Sequence, residues 1–123
     1  AAPTFPADTN LLIVMLGTND LLQGCSPEQA AEKLERFLVV IPLDRNKIQL
    51  IAPPPVTLGS WVPSVKLIED SHIFARLCQT LAERLGIRFA DAGRWDIPLA
   101  YDGVHFTEQG HRSFAIKLLE ELK

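Results

Sequence analysis

Apolar and polar positions along the chain form blocks that predict three strands and three helices. Residues 11–16 are apolar on both faces, as is typical of a buried parallel strand, residues 48–52 predict a second buried strand, and residues 87–90 predict a short third one. Apolar residues at helical spacing predict the three inward helix faces: Ala30, Leu34, Phe37, Leu38 and Ile41; Phe74, Leu77, Cys78, Leu81 and Leu85; and Phe114, Ala115, Leu118, Leu119 and Leu122. The predicted order is therefore β-α-β-α-β-α.

Capping signals place the ends of these helices. Ser26 is an N-cap candidate with Gln29 placed to complete a capping box, and Pro42 ends the helix that follows. Gly86 suits the C-terminal end of the second helix, and Thr107 suits the N-cap of the third. The alternation of elements predicts an α/β fold with a parallel sheet and right-handed crossovers.

The first predicted strand, residues 11–16, is too apolar to lie at a solvent-exposed edge of a sheet. Edge strands usually carry charge or proline, which blunts their tendency to pair with other chains. We therefore expect another part of the structure to lie beside this strand.

Composition and charge exclude several classes of protein. The chain has 123 residues, which suits one domain, and its 12 Lys and Arg against 15 Asp and Glu give a net charge of −3. Without a basic cluster, neither nucleic acid nor an anionic membrane surface is an expected partner, and no apolar run is long enough to span a bilayer. Two cysteines without metal-ligand spacing indicate free thiols and favour the cytoplasm.

Two groups of polar residues that could take part in catalysis follow the first and third predicted strands. Open α/β sheets bind ligands outside the carboxyl ends of their strands. In Gly17-Thr18-Asn19-Asp20, glycine permits a tight turn and Asn19 can project its amide over the strand end. In Asp102-Gly103-Val104-His105, the loop can fold back so that the aspartate accepts from one imidazole nitrogen and leaves the other free as a base.

A nucleophile is not obvious among the serines. Ser60 is the only loop serine beside a glycine, but it lacks the strand-turn-helix setting that exposes a catalytic serine. A weaker alternative is metal-dependent hydrolysis through Asp102, His105 and His111, although His111 suits a surface or packing role better because no further ligand has suitable spacing.

Two sequence blocks resemble those of the SGNH (GDSL) hydrolases. Residues 12–20, Leu-Ile-Val-Met-Leu-Gly-Thr-Asn-Asp, resemble the G-x-N-D block, and residues 102–108, Asp-Gly-Val-His-Phe-Thr-Glu, resemble the D-x-x-H block. Residues 52–55 and 89–93 are also similar to the arylesterase-like branch of that family. The resemblance implies a flavodoxin-like three-layer α/β/α sandwich and a serine esterase acting on a small-molecule ester without a cofactor or metal.

By this resemblance Asn19 would be an oxyanion-hole donor, His105 the general base and Asp102 the residue that orients it. The family's G-D-S block, which carries the nucleophilic serine, and its second block are absent from this sequence. We therefore expect residues 1–123 to be the carboxyl-terminal portion of a single SGNH domain. Its expected partner is an N-terminal portion of the same protein that carries the serine, and that portion would lie beside residues 11–16.

Further expectations concern the substrate and the alternatives. Gly17, Thr18, Trp61 and Val104 are candidate substrate-binding residues. Trp61 and the apolar residues around it could instead cover the sheet or form an interface patch, so self-association is possible. Because the nucleophile is missing, a non-catalytic binding or interaction module is the alternative to an esterase.

Overall fold

A three-stranded parallel sheet forms the centre of the computed structural model, which describes residues 5–6 and 8–123. The strands β1 (Leu12–Val14), β2 (Ile48–Ala52) and β3 (Arg88–Asp91) lie side by side in that order. β2 has the predicted bounds and is buried along its whole length. β1 is shorter than predicted, and β3 begins one residue later.

In the described part of the chain, four α-helices accompany the sheet: α1 (Thr18–Leu22), α2 (Pro27–Val39), α3 (Val65–Leu85) and α4 (Glu108–Glu121). The α/β class with a parallel sheet is thereby confirmed. α1 was not predicted from the sequence, because a helix of five residues is too short to show helical periodicity.

The predicted capping signals occur at all three longer helices. The Ser26 hydroxyl accepts from the Gln29 amide at 3.1 Å, and the Gln29 side chain accepts from the Ser26 amide at 2.9 Å, which completes the capping box. Gly86 ends α3 in the left-handed conformation with φ 71°. At α4 the Thr107 hydroxyl accepts from the Gly110 amide at 2.9 Å.

The main hydrophobic core lies between the sheet and the pair α2 and α3. The strand order places both crossovers in the same direction, so right-handed connections put these two helices on one face. The buried side chains that form this core include Val14, Leu34, Leu38, Ile48, Leu50, Phe74, Cys78 and Leu81. Burial of each large aliphatic or aromatic side chain stabilises the fold by about 1.5–3 kcal/mol.

The predicted inward face of α4 is wrong in part. Phe114 packs against Trp95, with ring centroids 5.4 Å apart, but Ala115 is exposed and Leu119 is 64% exposed. Gly110 is the only residue of α4 that is buried in the described structure. Helical spacing specifies which residues share a face, but it does not specify whether a neighbour covers that face.

β1 pairs with β2 on one side only within the described residues, so it is the edge of this sheet. Ile13 on β1 is 40% exposed, and Leu16 just after the strand is 49% exposed. None of the described helices combines the length and apolar character needed to cross a membrane.

Candidate active site

A cleft of about 380 Å³ opens at the carboxyl ends of β1 and β2. It brings together the predicted residues Gly17, Thr18 and Asn19 of the first motif with Val104 and His105 of the second. Its lining consists of Met15, Leu16, Gly17, Thr18, Asn19, Asp20, Pro53, Pro54, Val56, Val104, His105 and Phe106. The two motifs, distant in sequence, thus share one cavity at the edge where open α/β sheets bind ligands.

Asp102 and His105 form a hydrogen-bonded pair at the margin of this cleft. The imidazole Nδ1 of His105 lies 2.5 Å from Oδ2 of Asp102. The other carboxylate oxygen, Oδ1, accepts from the backbone amides of Val104 at 2.8 Å and His105 at 2.9 Å. Because an ionised carboxylate only accepts, Nδ1 must carry the proton, and Nε2 is left free as a base.

The loop holds the Asp102 carboxylate in its charged form. The Val104 amide, then the His105 imidazole and the His105 amide, lower the pKa of Asp102 from 3.8 to about 2. The residue is buried, with 8% of its surface exposed, whereas the His105 side chain is 59% exposed. A fixed anion behind an accessible imidazole is the arrangement that orients a general base.

Asn19 reaches the cleft from the first turn of α1, at the carboxyl end of β1. Gly17 makes this placement possible: its φ is 124°, and a Cβ there would overlap the ring of Phe74. Asn19 is exposed, and its side chain makes no hydrogen bond to any described residue, so no Asx-type turn occupies it. Its amide is therefore free to donate to a ligand in the cleft.

No serine lines the cleft, although all five serines lie within the described residues. Ser26 caps α2, and the buried Ser71 hydroxyl donates to the Ile68 carbonyl at 2.7 Å and accepts from the Val56 amide at 3.2 Å. Ser64 occupies the N-cap position of α3 without a capping bond from its side chain. Cys78 cannot substitute, because burial raises the pKa of its thiol to about 12.

The structure places the remaining candidates outside the lining of the cleft. Trp61 is 54% exposed and contacts the His105 ring edge to face, with centroids 4.7 Å apart and an interplanar angle of 77°. His111 lies against Phe106 at a centroid distance of 5.3 Å. Residues 5–6 and 8–123 contain no group of three His, Cys, Asp or Glu side chains that could hold a metal, so the metal-dependent alternative gains no support.

Sequence reasoning missed the loop that packs against the Asp102 segment. The Thr57 amide donates to the Gly103 carbonyl at 2.9 Å, and the Trp61 amide donates to the Asp102 carbonyl at 3.1 Å. Gly59 in this loop is the one sequence signal of such a close approach, because a Cβ there would overlap the backbone of residues 101–103.

Comparisons with known proteins show the family of this chain. A family model described as the GDSL-like lipase/acylhydrolase family matches residues 1–113. The structure is similar to that of an aryl esterase of M. smegmatis, at 25% identity and a TM-score of 0.79 over 95% of this chain and 61% of that chain. It is also similar to a provisional arylesterase from Agrobacterium tumefaciens, at 29% identity and a TM-score of 0.78 over 92% of this chain and 60% of that chain.

A third structure shares the fold: a carbohydrate acetylesterase from Sinorhizobium meliloti, at 19% identity and a TM-score of 0.79 over 95% of this chain and 61% of that chain. The chain thus spans about three-fifths of the length of these esterases. A comparison with curated protein sequences gave no significant match.

Proposed function

This chain belongs to the GDSL-like lipase/acylhydrolase family, and from that premise we propose that it carries the base and the oxyanion donor of a serine esterase. His105 is the general base, Asp102 orients it, and Asn19 donates to the oxyanion. The observation that carries the proposal is the hydrogen bond of 2.5 Å between Asp102 and His105, whose imidazole lines the same cleft as the Asn19 side chain, which is unpaired among the described residues.

The proposed reaction is hydrolysis of a carboxylic ester through an acyl-serine intermediate. Nε2 of His105 takes the serine proton as the serine oxygen attacks the ester carbonyl, and the Asn19 amide stabilises the tetrahedral oxyanion. Collapse of this intermediate releases the alcohol, which receives the proton from His105. The imidazole then activates water, or an acceptor alcohol, to release the acyl group and restore the serine.

The nucleophilic serine comes from a segment of the same protein that precedes residues 1–123. This proposal is supported by the absence of a serine from the lining of the cleft among the described residues, and by the greater length of the structurally similar esterases. Residues 1–123 are then the carboxyl-terminal portion of one domain.

Two exposed apolar surfaces suit contact with that segment. One is the open edge at β1, where Ile13 and Leu16 are 40% and 49% exposed. The other is α4, where Ile116 and Leu119 are 57% and 64% exposed. A strand paired with β1 would satisfy the free backbone groups of this edge, which soluble proteins rarely leave bare and apolar.

The proposed substrate is a small-molecule carboxylic ester, in line with the aryl esterases to which the structure is similar. Gly17, Thr18 and Val104 line it and are the proposed substrate contacts. The mechanism requires no cofactor or metal. The free Cys25 and Cys78 suggest a cytoplasmic location, which stays a prediction. Self-association through the loop of exposed Leu58 and Trp61 also stays a prediction.

Hydrolysis of a simple aryl acetate tests the proposal directly in the protein produced from its complete gene. His105→Ala should lower kcat by roughly four orders of magnitude while leaving the thermal midpoint nearly unchanged, since the imidazole is mostly exposed. The matched control is His72→Ala, because His72 is an exposed histidine on α3 that does not line this cleft.

Retention of full activity by His105→Ala would overturn the assigned role. If the wild-type protein neither hydrolyses esters nor reacts with a serine-directed phosphonate, the chain instead belongs to a non-catalytic binding module.

A further inference from the structure

Trp61 contacts His105 but takes no part in the proposed mechanism. The His105 imidazole makes one side-chain hydrogen bond within the described residues, from Nδ1 to Asp102, and most of its surface is exposed. One bond at Nδ1 fixes that atom but leaves the ring free to tilt about the bond. Trp61 contacts the same ring edge to face at 4.7 Å, so it limits this tilt.

The backbone of Trp61 is tied to the segment that carries the catalytic pair. Three amides of residues 57–61 donate to consecutive carbonyls: Thr57 to Gly103 at 2.9 Å, Ser60 to Tyr101 at 3.3 Å and Trp61 to Asp102 at 3.1 Å. We call residues 57–62 the clamp loop. The segments that carry the indole and the imidazole are therefore held together by three backbone hydrogen bonds.

The clamp loop is itself anchored in the protein. Val62, its last residue, is fully buried, and its amide donates to the Gly59 carbonyl at 3.0 Å. Gly59 lies so close to residues 101–103 that a Cβ would overlap their backbone, and Gly103 in turn meets the Thr57 carbonyl. Such an approach is expected of two segments held in a fixed mutual position.

We propose that Trp61 is a positioning residue for His105, holding the imidazole in place at the cleft with Nε2 available as the base. This inference rests on the proposed function, because it assigns His105 as the base. It differs from the expectation that Trp61 binds substrate: Trp61 does not line the cleft, whereas His105 does. A base displaced by about 1 Å can lose up to about a hundredfold in rate without any change in substrate affinity.

The test compares Trp61→Ala, Trp61→Phe and Tyr101→Ala in the protein produced from its complete gene, with an aryl acetate as substrate. Trp61→Ala should lower kcat about tenfold or more while KM changes less than about twofold. Trp61→Phe, which retains an aromatic edge, should recover most of kcat. Tyr101→Ala removes an aromatic side chain that is 88% exposed, and its kcat should match the wild type.

A spectroscopic readout separates positioning from general stability. The Nδ1 proton shared between His105 and Asp102 should give a far-downfield proton NMR resonance, which Trp61→Ala broadens or shifts and Tyr101→Ala does not. If Trp61→Ala fails to fold, Trp61→Leu retains apolar bulk without the aromatic edge and replaces it in the comparison.

A rise in KM with unchanged kcat would overturn the proposal and make Trp61 a wall of the substrate site. Unchanged kinetics and an unchanged resonance would also overturn it and make Trp61 a cover for the loop. Failure of the proposed function looks different, because His105→Ala would then be as active as the wild type.

Discussion

At the scale of single residues, the Asp102 carboxylate has the most completely satisfied position in the site. It accepts from the Val104 amide, the His105 amide and the His105 imidazole, at 2.8, 2.9 and 2.5 Å. Each of these bonds favours the charged form, which explains why its pKa falls to about 2. Asp102 therefore stays ionised through the whole pH range in which a histidine base operates.

This depressed pKa predicts how stability depends on pH. The ionised Asp102 stabilises the folded state fully above about pH 4, and this contribution is lost as the pH falls towards 2. Asp102→Asn, which does not titrate, should lack that loss. Urea unfolding between pH 5 and pH 2 should show the free energies of unfolding of the wild type and Asp102→Asn converging as the pH falls.

A difference between the two proteins that stays constant from pH 5 to pH 2 would contradict this prediction. It would mean that the hydrogen bonds at Asp102 do not depend on its charge.

Sequence reasoning at this scale identified the groups but not all of their contacts. The D-x-x-H spacing predicts the bond between Asp102 and His105, because a loop of this length brings the two side chains together. The contact between Trp61 and His105 joins residues 44 positions apart in the printed sequence, and no local pattern encodes it. Such contacts follow only from the fold.

At the scale of elements, the sequence predicted the strands and the longer helices, because their apolar patterns and capping residues are local features of the chain. β2 is buried along its whole length, and its mostly apolar sequence directly before Pro53 predicted a buried strand with the correct bounds. α1 was missed because it is short, and α4 was predicted correctly as a helix but with the wrong exposure. The exposure of Leu119 depends on whether a neighbour is present, which the helix's own sequence does not encode.

The contact between the clamp loop and the Asp102 segment carries a prediction of its own. Gly103 has φ 82°, and a Cβ there would overlap the Thr57 carbonyl oxygen. Gly103→Ala must therefore push the two segments apart and displace His105, so we expect kcat for an aryl acetate to fall by about a hundredfold or more.

Gly86→Ala is the matched control. Its φ of 71° imposes a similar backbone strain of about 1–2 kcal/mol, but no atom lies within 4 Å of the added Cβ. Both variants should lower the thermal midpoint, whereas only Gly103→Ala should lower kcat. Equal kcat values in the two variants would show that the fit between the segments does not position the base.

At the scale of the whole molecule, the structure combines a cleft that holds both sequence motifs with uncovered apolar surface. The proposed base His105 and the proposed amide donor Asn19 line one cleft, and Asp102 lies at its margin. Within the described residues β1 forms an open sheet edge, and α4 exposes Ile116 and Leu119. A strand beside β1 would place its own carboxyl end next to Gly17, since parallel strands end at the same edge of a sheet. A serine there would complete the proposed site.

Covalent labelling with a serine-directed phosphonate tests this account most directly. In the protein produced from its complete gene, peptide mass spectrometry should find one labelled serine, and it should lie outside residues 1–123. His105→Ala should slow that labelling by roughly a thousandfold or more, because the serine then lacks its base. Labelling of any of the five serines in this sequence, or labelling that is as fast without His105, would contradict the account.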